Sequence, residues 1–160
     1  MELKGFVHIR IDTRLIHGQV AGFWTGYLQA SRIMVIDDEV AVDDMQKELL
    51  RMVAPAGVAT SLLAKEKALE NIKTGKYANQ RVLLLIKTPY YLKYLMDNGI
   101  DIKAINVGNM ATRDNTRVIT SSISITQEEE EIFKELLSRG VDITVQMAPE
   151  DKAKKIKDLL

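Results

Sequence analysis

The segment Val82-Leu83-Leu84-Leu85-Ile86 is a run of five apolar residues with no polar interruption. A run of this length and composition is typical of a strand buried on both faces of a parallel sheet. On either side of it, short runs rich in β-branched residues alternate with longer amphipathic segments. The short runs predict further strands over 6–11, 32–36, 58–63, 104–107 and 142–146, and a shorter strand within 117–125.

The longer segments have the spacing of apolar residues that is typical of helices. They predict helices over 19–30, 42–54, 65–73 and 89–98, one that starts after Thr126, and a short terminal helix that opens at Pro149. Thr126 and Glu129 have the spacing of a capping box. Strands that alternate with helices imply crossover connections. We therefore predict an α/β fold in which residues 1–160 form one doubly wound domain, with a mostly parallel sheet and helices on both faces.

Composition and charge exclude several classes of function. The chain of 160 residues carries 22 basic and 22 acidic side chains, so no net charge draws it to nucleic acid. It contains no cysteine, which excludes disulfides and thiolate chemistry. The first residues lack the apolar region of a signal peptide, and no apolar run approaches the roughly 18 residues of a membrane span. We expect a cytoplasmic protein.

The loop 12–18 has the most reactive composition of the loops that follow strands, where open α/β sheets place their sites. A neutral imidazole such as that of His17 is nucleophilic near pH 7. A phosphoryl group on it would face the amides of a helix start, and the planar fork of Arg14 matches phosphate oxygens. Gly18 leaves the backbone open to a partner protein, and Asp12 is predicted either to orient the imidazole or to hold Arg14.

From these residues alone, a solvated surface pair of His17 and Arg14 stays open as an interpretation. The chain offers no cluster of His, Asp and Glu with metal-ligand spacing, so we predict neither a metal nor another cofactor.

The run Ile9-Arg10-Ile11-Asp12-Thr13-Arg14-Leu15-Ile16-His17-Gly18-Gln19-Val20, followed by Trp24, resembles the active-site segment of the mannose-family IIB component of the bacterial phosphoenolpyruvate-dependent sugar phosphotransferase system (PTS). The segments 37–41, 53–55 and 105–110 are similar to the same family, so the resemblance covers nearly the whole chain. Thr13 departs from the family pattern, because many members carry a second acidic residue there.

The resemblance implies that His17 accepts a phosphoryl group from the phosphohistidine of a IIA component. It would then donate the group to a sugar of the mannose, fructose, sorbose or N-acetylgalactosamine class, held by the membrane components IIC and IID. Arg14 is expected to bind the phosphoryl group together with Gly18 and Gln19, and Arg10 is a weaker candidate. The resemblance implies a stand-alone IIB subunit that meets the inner face of the membrane only through IIC and IID; homo-oligomerisation and the individual sugar stay open.

The competing hypothesis is a receiver-like regulatory module that uses the acidic pair Asp37-Asp38 with Lys87-Thr88-Pro89. A receiver, however, has its acidic pair after the first strand and its phosphorylated Asp after the third, where residues 63–65 offer no Asp. We therefore predict that the pair caps a helix or forms a docking rim. His8 is predicted to be packed or hydrogen-bonded rather than a second relay site. The aromatic residues Phe23, Trp24 and Tyr27 are predicted to belong to the core, and the basic tail 152–157 to be a solvated face.

Overall fold

The computed structural model describes the backbone of residues 1–160 and all side chains except those of Gln19 and Val20. Its strands are short and separated by helices, as the apolar runs predict. They are β1 (Phe6–Asp12), β2 (Arg32–Ile36), β3 (Ala59–Leu63), β4 (Val82–Ile86), β5 (Ala104–Asn109), β6 (Thr116–Thr120), β7 (Ile123–Thr126), β8 (Asp142–Val145) and β9 (Lys154–Lys155).

Seven of these strands form one sheet in the order β3-β2-β4-β1-β5-β8-β9. Every pairing in it is parallel except that of β8 with β9, which is antiparallel. All five residues of β4 are buried, because β4 lies inside the sheet with helices above and below. Strands β6 and β7 form a separate antiparallel hairpin. The predicted mostly parallel sheet is confirmed.

The helices are α1 (Gly18–Leu28), α2 (Asp38–Ala41), α3 (Asp44–Val53), α4 (Lys65–Lys73), α5 (Tyr90–Asp97) and α6 (Gln127–Ser138). They cover the sheet from both sides and create two hydrophobic clusters. One cluster contains apolar residues of α4, α5 and α6, and the other contains apolar residues of α1, α2 and α3. The doubly wound architecture is therefore confirmed, and no helix of the described chain has the length and apolarity that crossing a membrane requires.

Three predicted elements differ from the structure. The prediction of a terminal helix that opens at Pro149 is wrong. The chain instead forms strand β9, which pairs with β8, and then a 3₁₀ turn, Ile156–Asp158, in which Ile156 is completely buried. The helix predicted over 42–54 is present as α3 but starts only at Asp44, where Asp43 caps it, and a separate short helix that was not predicted, α2, precedes it with Asp37 as its cap. The segment 117–125 is a hairpin rather than one strand, whereas the capping box of α6 is confirmed.

The order of the strands determines where a site can form. From β1 the chain crosses over β4 to reach β2, whereas from β4 it crosses in the other direction to reach β5. The carboxyl ends of β1, β5 and β8 therefore lie together at a point where the winding reverses, which is where open α/β sheets bind ligands. The loop 12–18 starts at this point.

Candidate functional site

Strand β1 alternates between apolar and polar side chains, and the polar set leads into the site. Ile9 and Ile11 are buried in the core on one face of the sheet, so Arg10 and Asp12 point to the opposite face, toward α1. The side chains of Arg10 and Asp12 are both completely buried. Buried charges are stable only when they are paired and hydrogen-bonded, and a network of such contacts surrounds both.

Asp12 is the centre of this network. Its Oδ1 accepts hydrogen bonds from the backbone N and Nε of Arg14, both at 3.0 Å. Its Oδ2 accepts from Arg14 Nη2 at 3.0 Å and from Arg10 Nη2 at 3.4 Å, and lies 3.4 Å from His17 Nε2. Burial alone would raise the pKa of Asp12, but the hydrogen bonds and charges of the two arginines hold that pKa below its ordinary value. Asp12 is therefore ionised at neutral pH, and it both holds Arg14 and contacts the imidazole of His17.

His17 is the residue that caps α1, in an extended conformation, and its side chain is 22% exposed. Partial burial lowers the pKa of His17 below its ordinary value; the positive charges of Arg14 and Arg10 lower it further, against the opposing effect of Asp12. The ring is therefore mainly neutral at pH 7. Because an ionised carboxylate only accepts hydrogen bonds, a hydrogen bond from the neutral ring to Asp12 requires the tautomer with its proton on Nε2. In that tautomer the lone pair is on Nδ1.

The loop that carries His17 is held by burial on one side and by β5 on the other. Leu15 has a φ of 58°, a left-handed conformation that a branched side chain rarely adopts. Leu15 and Ile16 are nonetheless buried in the cluster beneath α1, which compensates for this strain. Thr13 donates from its backbone N to Asn109 O at 3.0 Å and from Oγ1 to Asn109 Oδ1 at 2.9 Å. The residue that departs from the family pattern therefore ties the loop to β5.

Arg14 and Gly18 lie on the open side of the loop. The side chain of Arg14 is 42% exposed, and within the described part of the chain its Nη1 makes no hydrogen bond. Gly18, the first residue of α1, is exposed, and a β-carbon at this position would meet no atom within 4 Å. The third predicted group at the helix start, the side chain of Gln19, lies outside the described residues.

Arg10 is placed differently from Arg14. Its side chain is fully buried, and Nη1 donates to Asn106 Oδ1 at 2.6 Å and to Gln146 O at 2.9 Å. Burial lowers the pKa of Arg10 to about 10, so it stays charged at pH 7. Nη1 thus faces protein acceptors, and the contact of Arg10 with the loop is the ion pair of Nη2 with Asp12.

Sequence reasoning missed a second set of residues that surrounds Arg10. The ring of Trp24 lies 5.2 Å from the guanidinium of Arg10, and Trp24 Nε1 donates to Met147 O at 3.0 Å. Asn106 and Gly108 contact the guanidinium from β5. The available signals were a polar residue inside an apolar strand and a glycine in a strand interior, which often marks a close backbone approach.

The predictions for the remaining aromatic residues and for His8 have mixed outcomes. Trp24 is buried as predicted, but the core prediction is wrong for Phe23 and Tyr27, which are 61% and 68% exposed. His8 stacks on Trp24 with ring centroids 4.6 Å apart, and its Nε2 lies 3.4 Å from Asn106 Oδ1. The prediction of a packed and hydrogen-bonded His8 is confirmed, and burial lowers its pKa below the ordinary value.

Both carboxylates of the acidic pair in the competing hypothesis are held by other residues of the chain, and Asp37 Oδ2 lies 3.9 Å from Lys87 Nζ. Asp37 accepts from the backbone N of Glu39 and of Val40 and thereby caps α2, as predicted. Asp38 pairs with Lys65 Nζ at 2.8 Å and accepts from Lys65 N at 2.9 Å. Among the described residues, no group of three or more His, Cys, Asp or Glu side chains is placed to hold a metal ion.

The proteins to which this chain is similar are named after several sugars. It is 40% identical over 151 residues to the mannose-specific EIIAB component of Escherichia coli (strain K12), an alignment that covers 94% of this chain and 47% of the relative. The chain thus spans about half the length of that relative. It is 32% identical to the fructose-specific EIIB component of Bacillus subtilis (strain 168), over 99% of this chain and 97% of the relative.

The fold agrees with these relatives. The IIB domain of the sorbose permease from Klebsiella pneumoniae superimposes with a TM-score of 0.91 at 31% identity, covering 96% of this chain and 94% of that chain. The family model of the PTS system sorbose subfamily IIB component matches residues 6–160. The chain therefore belongs to the sorbose-subfamily IIB components of the PTS, a family of sugar phosphotransferase components.

Proposed function

We propose that this chain is a phosphocarrier in which His17 accepts a phosphoryl group from the phosphohistidine of a cognate IIA component. It then passes the group to a hexose or amino sugar held by the membrane components IIC and IID. The observation that carries the proposal is the contact of a mainly neutral imidazole, His17, with the ionised carboxylate of Asp12, beside the half-exposed Arg14. In this scheme the chain acts on the cytoplasmic side of the membrane.

The first step uses the free nitrogen of the ring. Nδ1 of His17 attacks the phosphorus, the bond between phosphorus and the donor nitrogen breaks, and the donor ring recovers its lone pair. The proton on His17 Nε2 stays in place, so the phosphorylated ring acquires positive charge. Asp12 Oδ2, 3.4 Å from Nε2, stabilises that charge.

The phosphoryl oxygens need compensating positive groups, because negative charge spreads over them in the transition state. Arg14 supplies Nη1 without losing its two contacts to Asp12, which keep the guanidinium in one orientation. The amides at the start of α1 supply further donors, as helix starts do for anions. Exposure of Gly18 leaves the approach to these groups open to a partner protein.

The second step reverses the first at the same atom. A hydroxyl oxygen of the sugar attacks phosphorus, the bond between phosphorus and Nδ1 breaks, and the hydroxyl proton leaves to a base or to water. His17 returns to its starting form, so the residue is a carrier. Because both partners react at Nδ1, the complexes with IIA and with the membrane components exclude one another.

In this scheme the membrane components IIC and IID select the sugar. The names of the relatives include mannose, fructose and sorbose, which supports the sugar class but not one member of it. A panel of sugars, offered to membranes that contain the cognate IIC and IID together with the phosphorylated chain, identifies the substrate by the sugar phosphate that forms.

The central experiment uses the fact that the chain has two histidines, His8 and His17. The wild type, His17→Ala and the matched control His8→Gln are incubated with phosphoenolpyruvate, the general PTS proteins and a cognate IIA, and the intact mass is measured. We expect one phosphoryl group on the wild type and on His8→Gln, and none on His17→Ala. The modification should be lost in acid and retained in base, as phosphohistidine is.

Three outcomes would contradict the proposal. The first is a wild type that gains no phosphoryl group, and the second is a His17→Ala variant that gains as much as the wild type. The third is a modification that base removes and acid leaves, which indicates an aspartyl phosphate and favours the receiver-like hypothesis with its acidic pair Asp37-Asp38.

A further inference from the structure

Burying the charged side chain of Arg10 costs free energy, and the residues around it show how the charge is accommodated. Its guanidinium is completely inaccessible, and within the described chain its Nε is buried with no hydrogen-bond partner. A buried cation with an unpaired N–H destabilises a fold relative to an apolar residue of similar size. Stability of the sheet therefore does not account for Arg10, and its contact with Asp12 indicates what does.

Four groups, which come from α1, from β5 and from the residue after β8, enclose this guanidinium. Trp24 of α1 covers one face with its ring centroid 5.2 Å from Cζ. Gly108 of β5 lies so close that a β-carbon there would overlap the guanidinium carbon. At the edge, Nη1 donates to Asn106 Oδ1 at 2.6 Å and to the carbonyl of Gln146 at 2.9 Å. We call these four groups the Arg10 socket.

Nη2 is the guanidinium nitrogen of Arg10 that donates outside the socket. Nη2 points along β1 to Asp12 Oδ2, the same oxygen that lies 3.4 Å from His17 Nε2. Trp24 also holds the end of β8, because its Nε1 donates to Met147 O, and the sulfur of Met147 lies 3.9 Å from a guanidinium nitrogen of both Arg10 and Arg14. A shift of Arg10 would therefore change the position and the charge balance of Asp12.

We propose that Trp24, Asn106 and Gly108 are positioning residues: they hold Arg10 against Asp12 and so determine how the carboxylate orients His17. The part of this proposal that concerns phosphoryl transfer rests on the proposed function. The part that concerns the imidazole environment does not, because it can be measured on the free protein.

The first test adds one methyl group to the socket. Gly108→Ala forces the guanidinium of Arg10 away from Asp12, so His17 loses a neighbouring positive charge and faces a less neutralised carboxylate. We expect NMR titration of the His17 ring to give a pKa raised by about one unit. The matched control Gly26→Ala adds the same methyl to an exposed helix position with open space around it and should leave the titration unchanged. An unchanged His17 pKa in folded Gly108→Ala would overturn the proposal.

A second pair of variants covers the case in which Gly108→Ala does not fold. Trp24→Leu removes the aromatic face above Arg10 and the hydrogen bond to Met147 O, and should also raise the His17 pKa. Phe23→Leu changes the neighbouring aromatic residue, which is 61% exposed and lies outside the socket, and should have no effect. Equal shifts in both variants would show that a general loosening of α1, rather than the socket, is responsible.

A double-mutant cycle tests whether the socket acts through Arg10. We expect the rate of phosphoryl acceptance from IIA to fall about tenfold or more in Gly108→Ala and in Arg10→Met. In the double variant, Gly108→Ala should add little to the loss, because the group it displaces is absent. Additive losses would contradict the proposal. A wild type that takes no phosphoryl group would refute the proposed function alone, since the titrations still test the socket.

Discussion

Two acidic loops lie at the carboxyl edge of the sheet, and they differ in what their carboxylates hold. In the loop after β2, Asp37 accepts hydrogen bonds from two backbone amides at the start of α2. Asp38 accepts hydrogen bonds from the backbone N and from Nζ of Lys65. In the loop after β1, Asp12 holds two arginines and the imidazole of His17. The first set of contacts satisfies a turn, whereas the second surrounds the imidazole that we propose as the nucleophile.

The comparison shows that local composition does not distinguish a cap from a site. Both loops combine carboxylates with a nearby cation, and both follow a parallel strand. They differ because β1 lies where the winding of the sheet reverses, so that residues of β5 and of the segment after β8 reach Asp12 and Arg10. Asp37 and Asp38, by contrast, find their hydrogen-bond donors mainly in the loops after β2 and β3.

The largest difference between the two loops is expected from the substitution Asp12→Ala. The variant leaves Arg10 buried without its counter-ion, so we expect the free energy of unfolding, measured in urea, to fall by about 3–5 kcal/mol. Phosphoryl acceptance should fall about 100-fold or more, because Arg14 and His17 both lose their orientation. Asp43→Ala, which removes an exposed helix cap, is the control and should leave the rate unchanged. Wild-type activity in Asp12→Ala would refute the role of Asp12.

A smaller effect is expected from Arg14→Lys. Lysine keeps the positive charge but has a single nitrogen. It therefore cannot replace the two contacts that Nε and Nη2 of arginine make to Asp12 and at the same time offer a further donor to the phosphoryl group. Loss of one charged hydrogen bond, about 1.5–3 kcal/mol, predicts a rate of acceptance reduced about 10- to 100-fold. The control Arg139→Lys alters a surface arginine that pairs with Asp97. If Arg14→Lys accepts phosphoryl groups at the wild-type rate, only charge matters at this position.

A substitution in the acidic loop after β2 should lower stability and leave phosphoryl acceptance unchanged. Asp37→Ala removes the cap of α2, so we expect the free energy of unfolding to fall by about 1 kcal/mol. The rate and the site of phosphorylation should stay as in the wild type, as shown by intact mass and acid lability. A variant that folds but takes no phosphoryl group would mean that this loop, and not only the His17 loop, belongs to the site.

The smallest expected effect is the dependence of acceptance on pH. In the proposed function neutral His17 is the nucleophile, and partial burial together with Arg14 and Arg10 lowers its pKa below the ordinary value of 6.5. The rate should therefore fall as the pH is lowered through the pKa of His17, with a midpoint below 6.5, because the ring becomes protonated. NMR titration of the ring should give the same midpoint as the rate profile. A midpoint above 6.5 would show that Asp12 outweighs burial and the two arginines.

The contacts within the His17 loop could be predicted from the sequence better than the residues that support this loop. His17, Arg14 and Asp12 are close in sequence, and their contacts across two to five positions follow from one loop. Trp24, Asn106 and Gly108 meet Arg10 only because strands that are neighbours in the sheet are distant in the chain. The exposure of Phe23 and Tyr27 was also missed, because helical spacing does not say how far a neighbouring element covers a face.

The amino-acid sequence by itself determined the alternation of strands and helices, the burial of Val82–Ile86, the caps at Asp37 and Thr126, and the loop with His17. These depend on the period of apolar residues and on contacts within a few positions, which are local properties. Only the tertiary structure decided that Arg10 is buried and pairs with Asp12, and that Asp12 Oδ2 lies 3.4 Å from Nε2 of His17. The physical reason is that burial, charge pairing and the pKa values they determine depend on which elements pack together.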